Sequence, residues 1–204
     1  VAAFGADMFV RPHGMHVDQE GNVWVTDGRA AREAELQEAP DAARKGNQVV
    51  KFNAQGEVLM VLGTPGTTGE PPSALNQPND VIVAPNGDIV IADGHFPRPS
   101  TAQQDGDRIV RYSTDGKFIA QWGKQGSNPG EFKGPHALAF DSQGRLFVGD
   151  WSGKVYALDA NSGDELWTAK TKPHESVFAG QIVGSPTVVT VDATETVFFP
   201  GGKT

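Results

Sequence analysis

Two histidines occupy matching places in two related phrases: His13 in "PHGMHVDQEGNVWVTDG", from Pro12, and His136 in "PHALAFDSQGRLFVGDW", from Pro135. An imidazole at the start of a repeating unit can bind a metal if the units turn their starts toward a common axis. Neutral ring nitrogens are good zinc donors at about 2.0–2.1 Å. The competing reading is a polar channel whose histidines bond only to water. A third phrase, "PNDVIVAPNGDIVIADG" from Pro78, carries Asn79 in the histidine slot. His95 follows "ADG" in a loop at the expected channel mouth, where it is a candidate catalytic group or a further ligand. His16 lies three residues past His13, and strand alternation turns it to the opposite side. His174, in "TKPHES", reads as solvent-exposed. Asp80, one residue beyond the slot held by Asn79, could orient a ligand from behind. Asp27, Asp93 and Asp150 recur at one position of the unit and read as caps for turn N–H groups. No G-x-S-x-G elbow and no phosphate-cradling glycine loop occurs.

The three phrases share a proline, an alternating apolar run, a turn glycine (Gly21, Gly87 or Gly144), a second run and an aspartate. That pattern predicts a β-hairpin. Third runs follow as "NQVVKFNAQG", "DRIVRYSTDG" and "GKVYALDANSG", and fourth runs as "EVLMVLG", "KFIAQWG" and "DELWTAK". Four short antiparallel strands per repeat predict a β-propeller blade. The fold class is therefore all-β, one propeller domain over 1–204. Its blades span about 11–63, 77–123 and 134–170, with a partial one at about 180–201, where Pro186 is in phase. "VAAFG" reads as the closing strand of a preceding blade. The stretch 29–47, rich in Ala, Glu and Arg, predicts a surface insertion with a short helix ended by Pro40. With the long segment after Asp93, it would form a lip over the channel entrance.

Composition narrows the partners. The 204 residues include 25 glycines and 14 prolines, the balance of a chain of short strands and turns. A net charge of -8 argues against a nucleic-acid partner, since no basic stripe is present to neutralise phosphates. With no cysteine, thiolate metal sites and disulfides are excluded. No run of about 18 apolar residues occurs, so no membrane span is expected. The chain opens on Val1, the pattern of a processed or trimmed product from which a signal peptide could have been removed.

"PHGMHVDQEGNVWVTD", "QPNDVIVAPNGDIVIADG", "DRIVRYSTDGKFIAQWG" and "GEFKGPHALAF" together resemble NHL-repeat propellers. More narrowly, they resemble peptidyl-α-hydroxyglycine α-amidating lyase and its bacterial relatives. The resemblance implies a six-bladed propeller that cleaves a peptidyl-α-hydroxyglycine into a peptide amide and glyoxylate. It implies zinc on three histidines from alternate blades, with His13 and His136 matching two of them. It also implies calcium in the channel, with the Met15 backbone carbonyl as a ligand, and an extracellular or periplasmic location.

Several positions depart from that pattern. His95 stands where the family has a catalytic tyrosine, and Trp151 where an arginine is usual. The third family histidine would lie in a blade beyond Thr204. Two readings follow: a zinc-dependent C–N lyase acting on a small peptide-like substrate, or a non-catalytic NHL-type scaffold binding a protein or peptide. In either, another chain or an oligomer is expected to complete the propeller. "ALDANSGDELW" also fits the A-x-D-x-x-S/T-G-x-x-x-W docking pattern of quinoprotein propellers, which makes Trp167 an expected blade-packing residue.

Overall fold

Each hairpin forms because its turn needs a left-handed residue and glycine supplies one. Gly21, Gly87 and Gly144 have φ of 82°, 88° and 77°, and each donates its N–H to the carbonyl three residues earlier, at Asp18, Ala84 and Asp141. A computed structural model describes residues 3–95, 106–170, 184, 186–191 and 194–198. Three four-stranded antiparallel sheets follow one another in it. They are β1 (Pro12–Val17) to β4, β5 (Pro78–Val83) to β8, and β9 (Pro135–Phe140) to β12, each in sequence order. The intervening strands are β2 (Val23–Asp27), β3 (Gln48–Phe52), β4 (Val58–Leu62), β6 (Ile89–Asp93), β7 (Arg108–Tyr112) and β8 (Phe118–Trp122). The third sheet continues with β10 (Arg145–Asp150), β11 (Lys154–Asp159) and β12 (Glu165–Lys170). A two-stranded hairpin, β13 (Thr187–Val191) and β14 (Thr194–Phe198), follows against β9. The architecture is all-β and propeller-like. The described sheets form an arc that does not close.

The blades stack through two apolar layers. Trp24, Val49 and Leu62 of the first blade meet Val81, Ile89, Ile91 and Val110 of the second. On its other face the second blade presents Ile82, Val90, Ala92 and Ile109 to Leu138, Leu146, Val148 and Tyr156. Being covered on both sides, β6 reads as the unbroken apolar run Ile-Val-Ile-Ala instead of alternating. The innermost strands β1, β5 and β9 lie side by side. At Gly14 a Cβ would strike the Asn79 carbonyl and stand 2.8 Å from the Asp80 Cα, so the residue after His13 must be small for β1 and β5 to approach.

A repeated carboxylate clasp sets where each first strand begins. Asp27 accepts the Val10 N–H at 3.0 Å and the Arg11 N–H at 2.6 Å. Asp93 accepts the Asn76 N–H at 2.7 Å, and Asp150 the Lys133 N–H at 3.3 Å. Val10, Asn76 and Lys133 each lie three residues before the histidine slot. Asp150 also caps its own turn at Ser152 N and Lys154 N, at 2.8 and 3.0 Å. Asp150 thus caps a turn as the sequence suggested, whereas the backbone bonds of Asp27 and Asp93 go to the incoming chain, 16 or 17 residues earlier, which all three fasten.

The β2–β3 insertion contains a helix at Glu33–Glu38, then a 3-10 turn opened by Pro40. Glu35 holds it by pairing with Arg29 at 2.6 Å and accepting the Arg32 N–H at 2.8 Å. Residues 96–105, which would complete the expected lip, lie outside the described residues. Two expectations need correction. The described part of "VAAFG" is not a strand; Phe4 stacks on Phe52 at 5.4 Å. Trp167 is 42% exposed and packs on Phe147 of its own blade at 5.8 Å, so it does not wedge between described blades.

Asn47 and Asp107 occupy one repeat position, just before the third strand of their blades. Asn47 accepts the Gln77 N–H at 3.1 Å and donates to Thr68 Oγ1 at 2.7 Å. Asp107 accepts from Gly134, but its buried Oδ2 has no hydrogen-bond partner, with the Gln125 side chain beside it. Burial pushes this carboxyl up to about 6, against the pull of the Gly134 N–H. A folded pKa raised above the unfolded one makes ionisation costly to the fold. The cost is absent below about pH 4 and complete above about pH 6. Asp107→Asn is therefore expected to raise stability at pH 7 by roughly 1–3 kcal/mol, with the gain vanishing toward pH 4. Urea unfolding at the two pH values measures this. An equal effect at both would mean that the carboxylate is hydrated.

Candidate metal centre

The clasped strand starts bring three imidazoles together. His13 opens β1, His136 opens β9, and His95 follows β6 of the blade between them. One ligand atom from each lies within 4.8 Å of the others. Ring centroids are 4.8 Å apart for His13 and His136, 5.9 Å for His13 and His95, and 6.0 Å for His95 and His136. The Trp151 ring closes one side, 5.3 Å from His95 and 5.2 Å from His136. His13 and His95 are half-buried and His136 is buried.

Asn79 connects the three. Its carbonyl accepts from His13 Nδ1 at 2.9 Å, which leaves Nε2 as the free donor. Its side-chain amide donates to the carbonyls of Gly94 and Pro135, the residues just before His95 and His136. Asn79 is 1% exposed. Sequence reasoning passed over it, although it fills the histidine slot of the middle blade.

The surroundings of His13 and His136 favour their neutral forms. Burial lowers the pKa of His13, opposed by the Asn79 carbonyl and helped by Arg11. Burial, with repulsion from His13, His95 and Arg11, lowers His136 to about 3. The Nδ1 of His136 is buried without a hydrogen-bond partner. Three imidazoles, one with an orphaned ring nitrogen, fit a borderline cation such as Zn²⁺ better than the hard cations that favour oxygen.

The other sequence candidates lie elsewhere. Asp80 accepts from Leu138 N at 2.9 Å and Val81 N at 3.0 Å, so it ties β5 to the strand carrying His136. Met15 is 70% exposed and lines, with Asp80, a groove of about 360 Å³ along the innermost strands. His16 is half-buried and faces that groove and a second cleft of about 420 Å³. The second cleft lies among the hairpin turns at the far end of β1, away from the three histidines. His174 lies outside the described residues.

Comparisons with known proteins agree with the propeller fold. The chain is 34% identical over 168 residues to peptidyl-glycine alpha-amidating monooxygenase B of Xenopus laevis, covering 78% of this chain and 16% of that protein. It is 32% identical over 166 residues to NHL repeat-containing protein 3 of Mus musculus, covering 76% and 41%. To a probable peptidyl-alpha-hydroxyglycine alpha-amidating lyase of Caenorhabditis elegans it is 32% identical over 139 residues, covering 67% and 33%. This is an NHL-type β-propeller chain that resembles the amidating lyases. It spans well under half the length of these curated relatives. The family described as outer membrane protein assembly factor BamB matches residues 100–199, the span that includes the quinoprotein-like docking phrase. A catalytically inactive virginiamycin B lyase from Staphylococcus aureus, solved with quinupristin, shares the fold. Its TM-score is 0.57 at 12% identity, over 95% of this chain and 50% of that one. Among the described residues no helix is long and apolar enough to cross a membrane.

The depressed pKa of His136 has a thermodynamic consequence. Between about pH 6.5 and pH 3 the unfolded chain takes up a proton at this residue and the folded chain does not. Stability of the metal-free protein therefore falls with pH across that window, by about 1.4 kcal/mol per pH unit for the one group. In chelator-treated protein, His136→Asn is expected to flatten the slope between pH 6 and pH 4.5 by about that amount. Chemical unfolding at both pH values tests it, and an unchanged slope would mean that the imidazole protonates freely in the fold.

Proposed function

We propose that this chain carries a metal-dependent, lyase-like centre of the amidating-lyase kind, with His13 and His136 as zinc ligands. The observation that carries the reading is their convergence from the first and third blades to a ring separation of 4.8 Å, beside an indole wall. Zinc, when bound there, would supply Lewis acidity and ease loss of a proton from a coordinated hydroxyl near neutral pH.

The protein's own groups prepare the site. Asn79 holds His13 in the tautomer that offers Nε2. Burial keeps His136 unprotonated and ready to donate. Trp151 shuts water from one flank of His95 and His136. The reaction that fits is C–N cleavage of a peptidyl-α-hydroxyglycine. The hydroxyl loses its proton, its oxygen becomes the carbonyl of glyoxylate, and the C–N electron pair leaves with the amide nitrogen, which is protonated. A calcium ion on the Met15 carbonyl in the axial groove belongs to the same reading. So do export to the periplasm or outside the cell, and closure of the propeller by further blades or another chain.

The test is zinc and calcium content per chain, measured beside glyoxylate release from a peptidyl-α-hydroxyglycine. The expected result is near-stoichiometric zinc and measurable glyoxylate, with His13→Ala and His136→Ala each cutting both at least 100-fold. Zinc without glyoxylate would favour the second reading, a metal-stiffened scaffold that binds a peptide or protein. That reading is supported by the metal set itself: among the described residues it is three imidazoles, with no carboxylate grouped with them to act as acid or base. A chain without zinc would remove the lyase reading.

A further inference from the structure

We propose that His95 is the third protein ligand, so that three consecutive blades of this chain supply a complete three-imidazole metal centre. The inference rests on the reading of His13 and His136 as ligands. It goes beyond that reading by taking the third donor from the blade between them, where the resemblance pointed to a later blade.

Three observations carry it. The first is distance: the ligand atoms of His13, His95 and His136 lie within 4.8 Å of one another. Nitrogens bound at about 2.0–2.1 Å to one tetrahedral ion are roughly 3.4 Å apart. A pair at that limit must therefore draw in by at most roughly 1.4 Å, which small imidazole rotations can provide.

The second is shared support. Asn79 accepts from the His13 ring and donates to the carbonyls preceding His95 and His136. A single buried residue thus supports the His13 ring through its second nitrogen, as metal ligands are commonly held, and ties the backbone leading into the other two. A proton-transfer group acting on its own would not need to share a brace with two ligands. The third is steric. The Trp151 ring packs against His95 and His136 alike and limits the swing of both. Three protein nitrogens leave one tetrahedral position for a small ligand or substrate oxygen. His95 is then engaged at the metal and is not the group that carries the proton.

The experiment uses the full chain, stripped with chelator and titrated with Co²⁺ and Zn²⁺. Wild type is expected to bind one cobalt with the intense visible absorption of a four-coordinate site. His95→Ala is expected to weaken zinc binding at least 100-fold and to bleach that absorption. His16→Ala, at a half-buried histidine of the same strand as His13, should change neither. Asn79→Asp removes the two amide donors and should lower affinity 10- to 100-fold while unfolding stays cooperative. If His95→Ala does not fold, the cobalt protein itself decides. Hyperfine-shifted imidazole N–H resonances from three histidines support the assignment, and from two overturn it. His95→Ala binding as tightly as wild type, with the same spectrum, also overturns it. That outcome leaves the lyase reading standing if His13→Ala and His136→Ala still lose the metal. Failure of wild type to bind any metal removes both.

Discussion

The position of everything at the axis depends on one carboxylate contact repeated in each blade. The aspartate ending the second strand accepts a backbone N–H three residues before the first strand's polar slot, at Val10, Asn76 and Lys133. A buried carboxyl group that accepts backbone N–H groups is a directional clasp, because leaving those buried polar groups unpaired would cost free energy. The clasp fixes where each first strand begins, and hence that His13, Asn79 and His136 sit at one height. Apolar packing between blades supplies most of the cohesion. It is tolerant of small slides, as cores of similar volume generally are. The directional contact turns a stack of sheets into a site.

Asn79 then links what the clasps have aligned. It sits in the middle blade, where its backbone faces His13 and its amide reaches toward the third blade, and Gly14 lets β1 come close enough for this. The same enclosure controls charge. The chain carries -8 overall, an excess that would by itself favour protonated histidines. Burial and mutual repulsion overcome that field locally and push His136 down to about 3. Desolvation outweighs distant screened charge because water and salt damp the surface potential over about 8–10 Å, whereas a buried ring has lost its hydration outright.

The sequence was legible where the physics is local. Turn glycines, alternating runs and the recurrent aspartates marked the hairpins and their order, and Pro-His marked two of the three clustered rings. Legibility failed where spatial contact crosses blades. Asn79 looked like the absence of a histidine, because nothing in "PND" says that its amide will meet carbonyls from two other segments. His95 was ambiguous for a similar reason: its place after "ADG" located it near the channel mouth but could not say which way the ring turns. Trp151 read only as a departure from a family pattern, while in the fold it is the wall of the site. For Trp167 the motif suggested a wedge between blades, whereas among the described residues its ring lies on its own blade's Phe147.

Placing imidazoles on successive blades, and not on alternate ones, has a structural consequence. Ligands spread around a closed ring report on its closure, since each must arrive from a different side of the axis. Ligands on three neighbouring blades are positioned by two blade-to-blade interfaces, both built from contacts in this chain. The geometry of such a centre is fixed by Asn79, Asp80 and the aspartate clasps, all buried and all bonded to backbone. Rigidity at the site then comes from short, directional contacts that run from one inner strand to the next, and does not require the circle to be complete.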